Sequence, residues 1–263
     1  MHRAGKRAGD DRIHDAGDRV MADDRVTAGS PSTTSCSPSP QGGEEMVHDT
    51  LRKLAVVFAD FEQRLEATPL IRKLTRGRFE TADYHAFLIN LRQQVKDGSL
   101  WMSRAASSID EAHLELRSTL MKHAVTEHRD FRLLEQDFVA AGGALEAIQG
   151  APKNVGSEAL SAWMFHEASK PNPFGLLGAM FIIEGLGSIK AAPWGRMVKE
   201  RLDLPEDAVR FLLYHGENDA AHMEEFREML GMVLPDAGTA ERIVMCARVT
   251  ARLYALQIEE IAA

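Results

Sequence analysis

From Met46 to the end of this 263-residue chain, apolar residues recur at helical spacing, which limits the fold to a bundle. Residues 47–67 carry Leu51, Leu54, Val57, Phe58, Phe61 and Leu65 on one stripe of 3.6-residue period. Thr81 precedes a second stretch reaching Ser108, with Asp83 in its first turn. Asp110 opens a third that ends at Gly142 and Gly143, and a short one follows over 144–149. Ser157 caps a helix over 158–169, which Pro171 stops. Pro173 suits the first turn of a long segment reaching about Leu202. Pro205, with Glu206 and Asp207, opens the helix that holds His215. Pro235 and Asp236 open the last, with Leu253 and Leu256 on its apolar face. No alternating run suggests a strand, and no solenoid repeat is present. Seven or eight helices with short connections make an all-α bundle.

Residues 1–45 read differently. They are rich in Arg, Asp, Gly, Ser and Pro, and are expected to form a disordered N-terminal extension before a single helical domain over 46–263. They hold no apolar core of a secretory signal, and Met21 and Met46 are both alternative starts. A net charge of −8 supplies no field for phosphate, so no nucleic-acid partner is expected. The longest apolar run, Phe174 to Ile183, falls short of the ~20 residues that span a bilayer, so no membrane role is expected. Cys36 lies in the extension and Cys246 in an apolar helical pattern. A disulfide framework is therefore not expected, and a reducing cytoplasm is the simplest compartment. A homodimer is the expectation that symmetry statistics supply.

The chemistry-bearing residues fall on these helices. His215, Asp219 and His222 stand at i, i+4 and i+7, so two imidazoles and a carboxylate share one stripe. Such ligands suit iron, manganese, zinc or copper. The stripe continues the apolar face of Phe211 and Leu212 and leads on to Phe226 and Leu230, a costly place for polar groups without a partner. His123, Glu127 and Asp130 repeat the geometry, and His128 takes the ligand role instead if the helix is distorted. The same segment also holds Arg129, Arg132 and Glu135, as a solvated face would. Glu184 interrupts an apolar run with no Lys or Arg nearer than Lys190, so it is neutral, hydrogen-bonded to a histidine, or bound to metal. Gly185 and Gly187 follow it and suit close approach of a cofactor, a helix crossing or a kink. Asp97 is the only carboxylate after Asp83 on its helix, beside Gln93 and Gln94. Trp101 and Trp163 read as core, Trp194 as a pocket wall. Three helices with inward ligands point to a metal site inside the bundle, with room for two ions.

The order of a Glu/His helix, then Phe-Ile-Ile-Glu-Gly-Leu-Gly, then H-x3-D-x2-H resembles the heme-oxygenase-like di-iron oxidases and oxygenases, or iron-containing redox enzymes. The match covers about residues 80–232, with a looser likeness of fold over 46–263, and its specific part is the H-x3-D-x2-H with the core Glu before it. It implies a seven-helix heme-oxygenase-like bundle with two non-heme irons. Its ligands here would be Glu127 with His123 or His128, then Glu184, then His215, Asp219 and His222. The E-x2-H of some relatives reads E-x2-D here, at Glu127 and Asp130, and the earlier helix offers only Asp97. The implied activity is O2-dependent oxidation of a small organic substrate, with electrons from a reductase partner or from the substrate. Two rivals share the fold: a heme-binding or heme-degrading protein with one axial histidine over Gly185 and Gly187, and a metal-free thiaminase-like hydrolase using Cys246. A third is a non-enzymatic helical interaction or metal-storage protein, which would bind iron without a substrate pocket.

Overall fold

A computed structural model describes residues 40–261, with helical backbone alone for 40, 41 and 217–223. The described residues belong to one compact, all-α unit. The first helix, α1 (Pro40–Ala67), begins six residues upstream of Met46, inside the stretch expected to be extension. The rest of that extension, residues 1–39, lies outside the described residues. A short α2 (Pro69–Thr75) follows, capped by the Thr68 hydroxyl, and leads to α3 (Thr81–Ser108). There Glu80 and Asp83 satisfy one another's free backbone N–H groups, and Asp83 also holds Lys73 at 2.6 Å.

The third expected helix is broken. It runs as α4 (Leu114–Glu127) and α5 (Phe131–Ala140), with a turn over His128–Asp130. The His128 ring sits 2.6 Å from the Val125 carbonyl and so competes for a helical acceptor. After α6 (Leu145–Gly150) comes α7 (Val155–Ala168), whose cap is the Asn154 side chain accepting from the Ser157 N–H, not Ser157 itself.

The long apolar segment is α8 (Leu176–Leu186), a π-helical turn over Gly187–Ala191, and α9 (Ala192–Leu202). Pro193 accounts for that turn: it has no N–H to give back, and its ring crowds the preceding turn. Because Glu184 does not end the helix, Leu176–Leu202 is long and apolar enough to cross a membrane by length and composition alone. Its apolar window is 56% buried inside the bundle, as in a core helix. A 3-10 turn at Glu206–Ala208 precedes α10 (Arg210–Val233), and α11 (Thr239–Glu259) closes the chain.

Helix α8 is central. It packs on α10 and, through Gly178, closely on α11, where a Cβ would lie 2.0 Å from the Ile243 carbonyl. Phe58, Phe181 and Phe226 join α1, α8 and α10 by edge and tilted contacts. Phe61 meets Tyr254 edge-on at 5.5 Å, tying α1 to α11. Polar bonds fix the entry to α10. Tyr84 donates to the Ala208 carbonyl at 2.6 Å, and buried Asp137 accepts the Phe211 N–H at 2.8 Å. Arg92 donates twice to one oxygen of Glu135, at 2.8 and 2.6 Å, joining α3 to α5 inside the protein.

Candidate metal centre

Four elements converge on one polar patch. The last turn of α4 brings His123 and Glu127, the break after it brings Asp130, α8 brings Glu184, and α10 brings His215. One ligand atom from each of Glu127, Asp130 and His215 lies within 4.8 Å of the other two. His215 Nε2 is 3.4 Å from Asp130 Oδ2. His123 is buried between two carboxylates, with Nε2 3.2 Å from Glu184 and Nδ1 3.3 Å from Glu225. The break at His128–Asp130 lets Asp130 turn toward His215 when Glu127 ends its helix.

The electrostatics fit a site that wants a cation. Burial pushes the Glu127 carboxyl up to about 7, and the neighbouring Glu184 charge pushes the same way. Burial would lower the His123 imidazole, but its bonds to Glu184 and Glu225 outweigh that and hold it up to about 9. Carboxylates crowded out of water beside imidazoles are the donor set that first-row divalent metals take. Iron fits these residues, and so does manganese. Glu127, Asp130 and His215 would form one set, with Glu184 and His123 beside it.

Several residues singled out in the sequence stand elsewhere. Asp97 accepts from Lys153 at 2.5 Å and Ser161 at 2.6 Å, a half-buried ion pair between α3, α7 and the loop before α7. His128 points out to solvent, bonded to Val125 and within 3.1 Å of Arg129. Gly185 faces the Phe58 ring, where a Cβ would come within 3.0 Å, so it serves the α1–α8 crossing and not a cofactor. Gly187 lines the cavity beside the centre, at the start of the π turn. The side chains of Asp219 and His222 lie outside the described residues. Glu225 was missed. It stands three residues beyond His222, the next position on that stripe, and this spacing was the signal that could have found it.

A cavity of about 110 Å³ opens against the centre, with Glu127, Glu184 and His215 in its wall. The rest is mostly apolar, with Phe87, Met180 and Phe211 among the lining residues. Trp194 is in that wall as expected, and Trp101 joins it although it reads as core. Cys246 does not line this cavity. It is buried, and burial pushes its thiol up to about 12, a poor nucleophile.

Residues 101–255, more than half the chain, match the family described as iron-containing redox enzymes. The chain belongs to that family. No curated protein matches the sequence. Among solved structures, a domain of unknown function with a heme oxygenase-like fold from Shewanella denitrificans is similar at TM-score 0.73 and 21% identity. That likeness covers 79% of this chain and 89% of that one. A TenA homolog from Pseudomonas syringae gives 0.68 at 14% identity, covering 81% and 92%. A TenA homologue from P. horikoshii gives 0.60 at 11%, covering 81% and 96%. At these identities the likeness is one of fold: this member of the iron-containing redox enzymes is a heme-oxygenase-like bundle.

Proposed function

We propose that the protein is a non-heme di-iron oxidoreductase that uses O2 to oxidise a small organic molecule. The observation that carries this is the meeting of Glu127, Asp130 and His215 within 4.8 Å of one another, beside Glu184 and His123. Glu127, Asp130 and His215 would hold one iron; Glu184, His123 and Glu225 would serve the second. Iron bound there would supply the O2 binding and the redox change that no protein side chain offers.

The chain's own residues supply the rest. Glu127 holds a proton near neutrality, and its carboxylate is freed when a cation replaces that proton. His123 donates from both ring nitrogens to Glu184 and Glu225 while the metal is absent. It gives up a proton to become a ligand. Phe87, Met180 and Phe211 keep water from the substrate face of the centre. The electrons come from a reductase partner or from the substrate. Manganese is the alternative ion that the same donors accept.

The rival readings lose ground on this geometry. Cys246 is buried away from the cavity with its thiol proton held tightly. A cavity of about 110 Å³ is small even beside the ~300–1,000 Å³ of ordinary ligand pockets, let alone a porphyrin site.

Metal analysis after anaerobic reconstitution with ferrous iron tests the proposal, with wild type beside Glu184→Ala and His215→Ala. The expected result is about two irons per chain, the count of a di-iron bundle. Both variants should hold less, and the loaded wild type alone should consume O2. Background iron in wild type, or binding indifferent to both substitutions, sinks it.

A further inference from the structure

Behind Gln94 the apolar cavity meets a second, smaller space. The two share Gln94, Trp101 and Ile183 as a common wall, and the recess has a volume of about 20 Å³. Leu160 and Met164 make part of its lining apolar too, but Gln257, Ser157, Ser161 and Asp97 bring polar side chains to it. Gln257 of α11 is fully buried there, and its Oε1 has no hydrogen-bond partner. Ser157 of α7 is 3% exposed, and its hydroxyl also lacks a partner. The Gln257 amide is held in place from its other end, because Nε2 donates to Gln94 Oε1 at 3.2 Å. The recess is closed by Asp97, whose charge Lys153 already neutralises.

Two polar atoms buried without partners are costly. A fold keeps such atoms where something from outside completes them. A single water fits the volume. Sharing Gln94, Trp101 and Ile183, the recess adjoins the cavity that Glu127, Glu184 and His215 face. A carboxylate or ammonium end would find no free counter-charge there, since Asp97 and Lys153 satisfy one another. A neutral group that donates a hydrogen bond finds the Gln257 oxygen and can accept from the Ser157 hydroxyl.

We propose that this recess is the subsite for the neutral, hydrogen-bond-donating end of the substrate, a hydroxyl in the simplest case, whose short apolar body fills the cavity toward the carboxylate–histidine centre. The assignment rests on the cavity being the substrate site of the proposed oxidase. Gln257 and Ser157 are specificity residues: they select for the far end of the substrate and position its near end.

Two probes of equal heavy-atom number test it: 1-pentanol, which donates, and butyl methyl ether, which only accepts. Binding of each to the full-length, iron-reconstituted protein is measured by ligand-observed NMR, with the iron content of every sample recorded. The alcohol is expected to bind about tenfold more tightly than the ether, the worth of one buried hydrogen bond. Gln257→Met keeps the length but removes the acceptor, and should bring the two probes within about twofold by loss of alcohol affinity alone. Ser157→Ala should narrow the gap in part. Equal binding of the probes to wild type overturns the proposal, as does failure of both to bind, and neither result depends on a variant folding. A preference that survives Gln257→Met also overturns it, because the alcohol is then held elsewhere. The metal reading fails separately, as samples that prefer the alcohol yet hold no iron.

Discussion

Asp97 lies within α3 and Asp130 in the break after α4, yet only Asp130 reaches the centre. The difference is made by partners far along the chain. Lys153 and Ser161, 56 and 64 residues away, claim Asp97, whereas His215 faces Asp130. Asp97→Ala should therefore cost stability and not metal. We expect a loss of about 1–3 kcal/mol in urea unfolding, the cost of stranding Lys153 in a part-buried site, with iron content per chain unchanged. Asp130→Ala should lower iron content while shifting the urea midpoint of the metal-free protein little. An Asp97→Ala protein that folds normally but has lost its iron would return Asp97 to the ligand set. Glu184 was legible because its environment is written beside it: eight flanking residues without a charge leave a carboxylate no local partner. His123 was legible by spacing from Glu127. The choice between His123 and His128 was not, because it depends on where the helix breaks. The break depends on His128 taking the Val125 carbonyl.

Glycines decide how closely the elements of the centre approach one another. Gly216 follows His215 on α10, and a Cβ there would lie 2.4 Å from the Ala192 side chain and 2.7 Å from its backbone nitrogen, just beyond the π turn. Backbone cannot yield as a flexible side chain can. Gly216→Ala should push α10 away from the α8–α9 segment and carry His215 with it. The expected outcome is a weaker Mn2+ affinity together with a lower melting temperature. Gly178→Ala makes the comparison informative. Its Cβ would meet the Ile243 carbonyl at 2.0 Å, at the α8–α11 crossing. It should cost about 1–3 kcal/mol or more by overpacking, yet leave Mn2+ affinity of the folded fraction near wild type. Equal loss of affinity in both variants would mean that His215 is not positioned through Gly216. At this scale the sequence showed helices well and their interruptions poorly. Period and caps are local, so α3 and α7 were readable to within a few residues, and α1 at its end though not at its start. The π turn and the α4–α5 break arise from Pro193 and His128 acting on neighbouring turns, and periodicity averages over such single-residue effects.

Across the whole molecule, the protons held at the centre tie stability to pH, with the sign fixed by the direction of each shift. Glu127 is raised from 4.5 to about 7 and Asp137 from 3.8 to about 6, both by burial first. His123 is raised from 6.5 to about 9 by Glu184 and Glu225, against the effect of its burial. A group raised in the folded state favours folding most below its unfolded value, and that contribution is lost as pH climbs through the folded value. For Glu127 the loss runs from about pH 4.5 to 7, for Asp137 from about 4 to 6, and for His123 from about 6.5 to 9. The windows follow one another from about pH 4 to 9, all with the same sign. The carboxylates shifted the other way, Asp49 and Asp110, are exposed and act only at more acid pH. The metal-free protein should therefore melt at progressively lower temperature as pH rises from 5 to 9. A bound metal reverses the slope at the centre, because ligation needs Glu127 ionised and His123 neutral and so competes with those protons. At about a hundredfold excess over its dissociation constant, Mn2+ should stabilise by about 2.7 kcal/mol, and the gain in melting temperature should grow between pH 6 and 8. Parallel melts with EDTA and with Mn2+ across that range are the check. A metal-free melting temperature that is flat or rising from pH 6 to 9 would mean that His123 and Glu127 do not hold their protons in the folded protein. A metal-induced gain independent of pH would mean that the ion binds without displacing them, outside the group formed by Glu127, His123 and their neighbours.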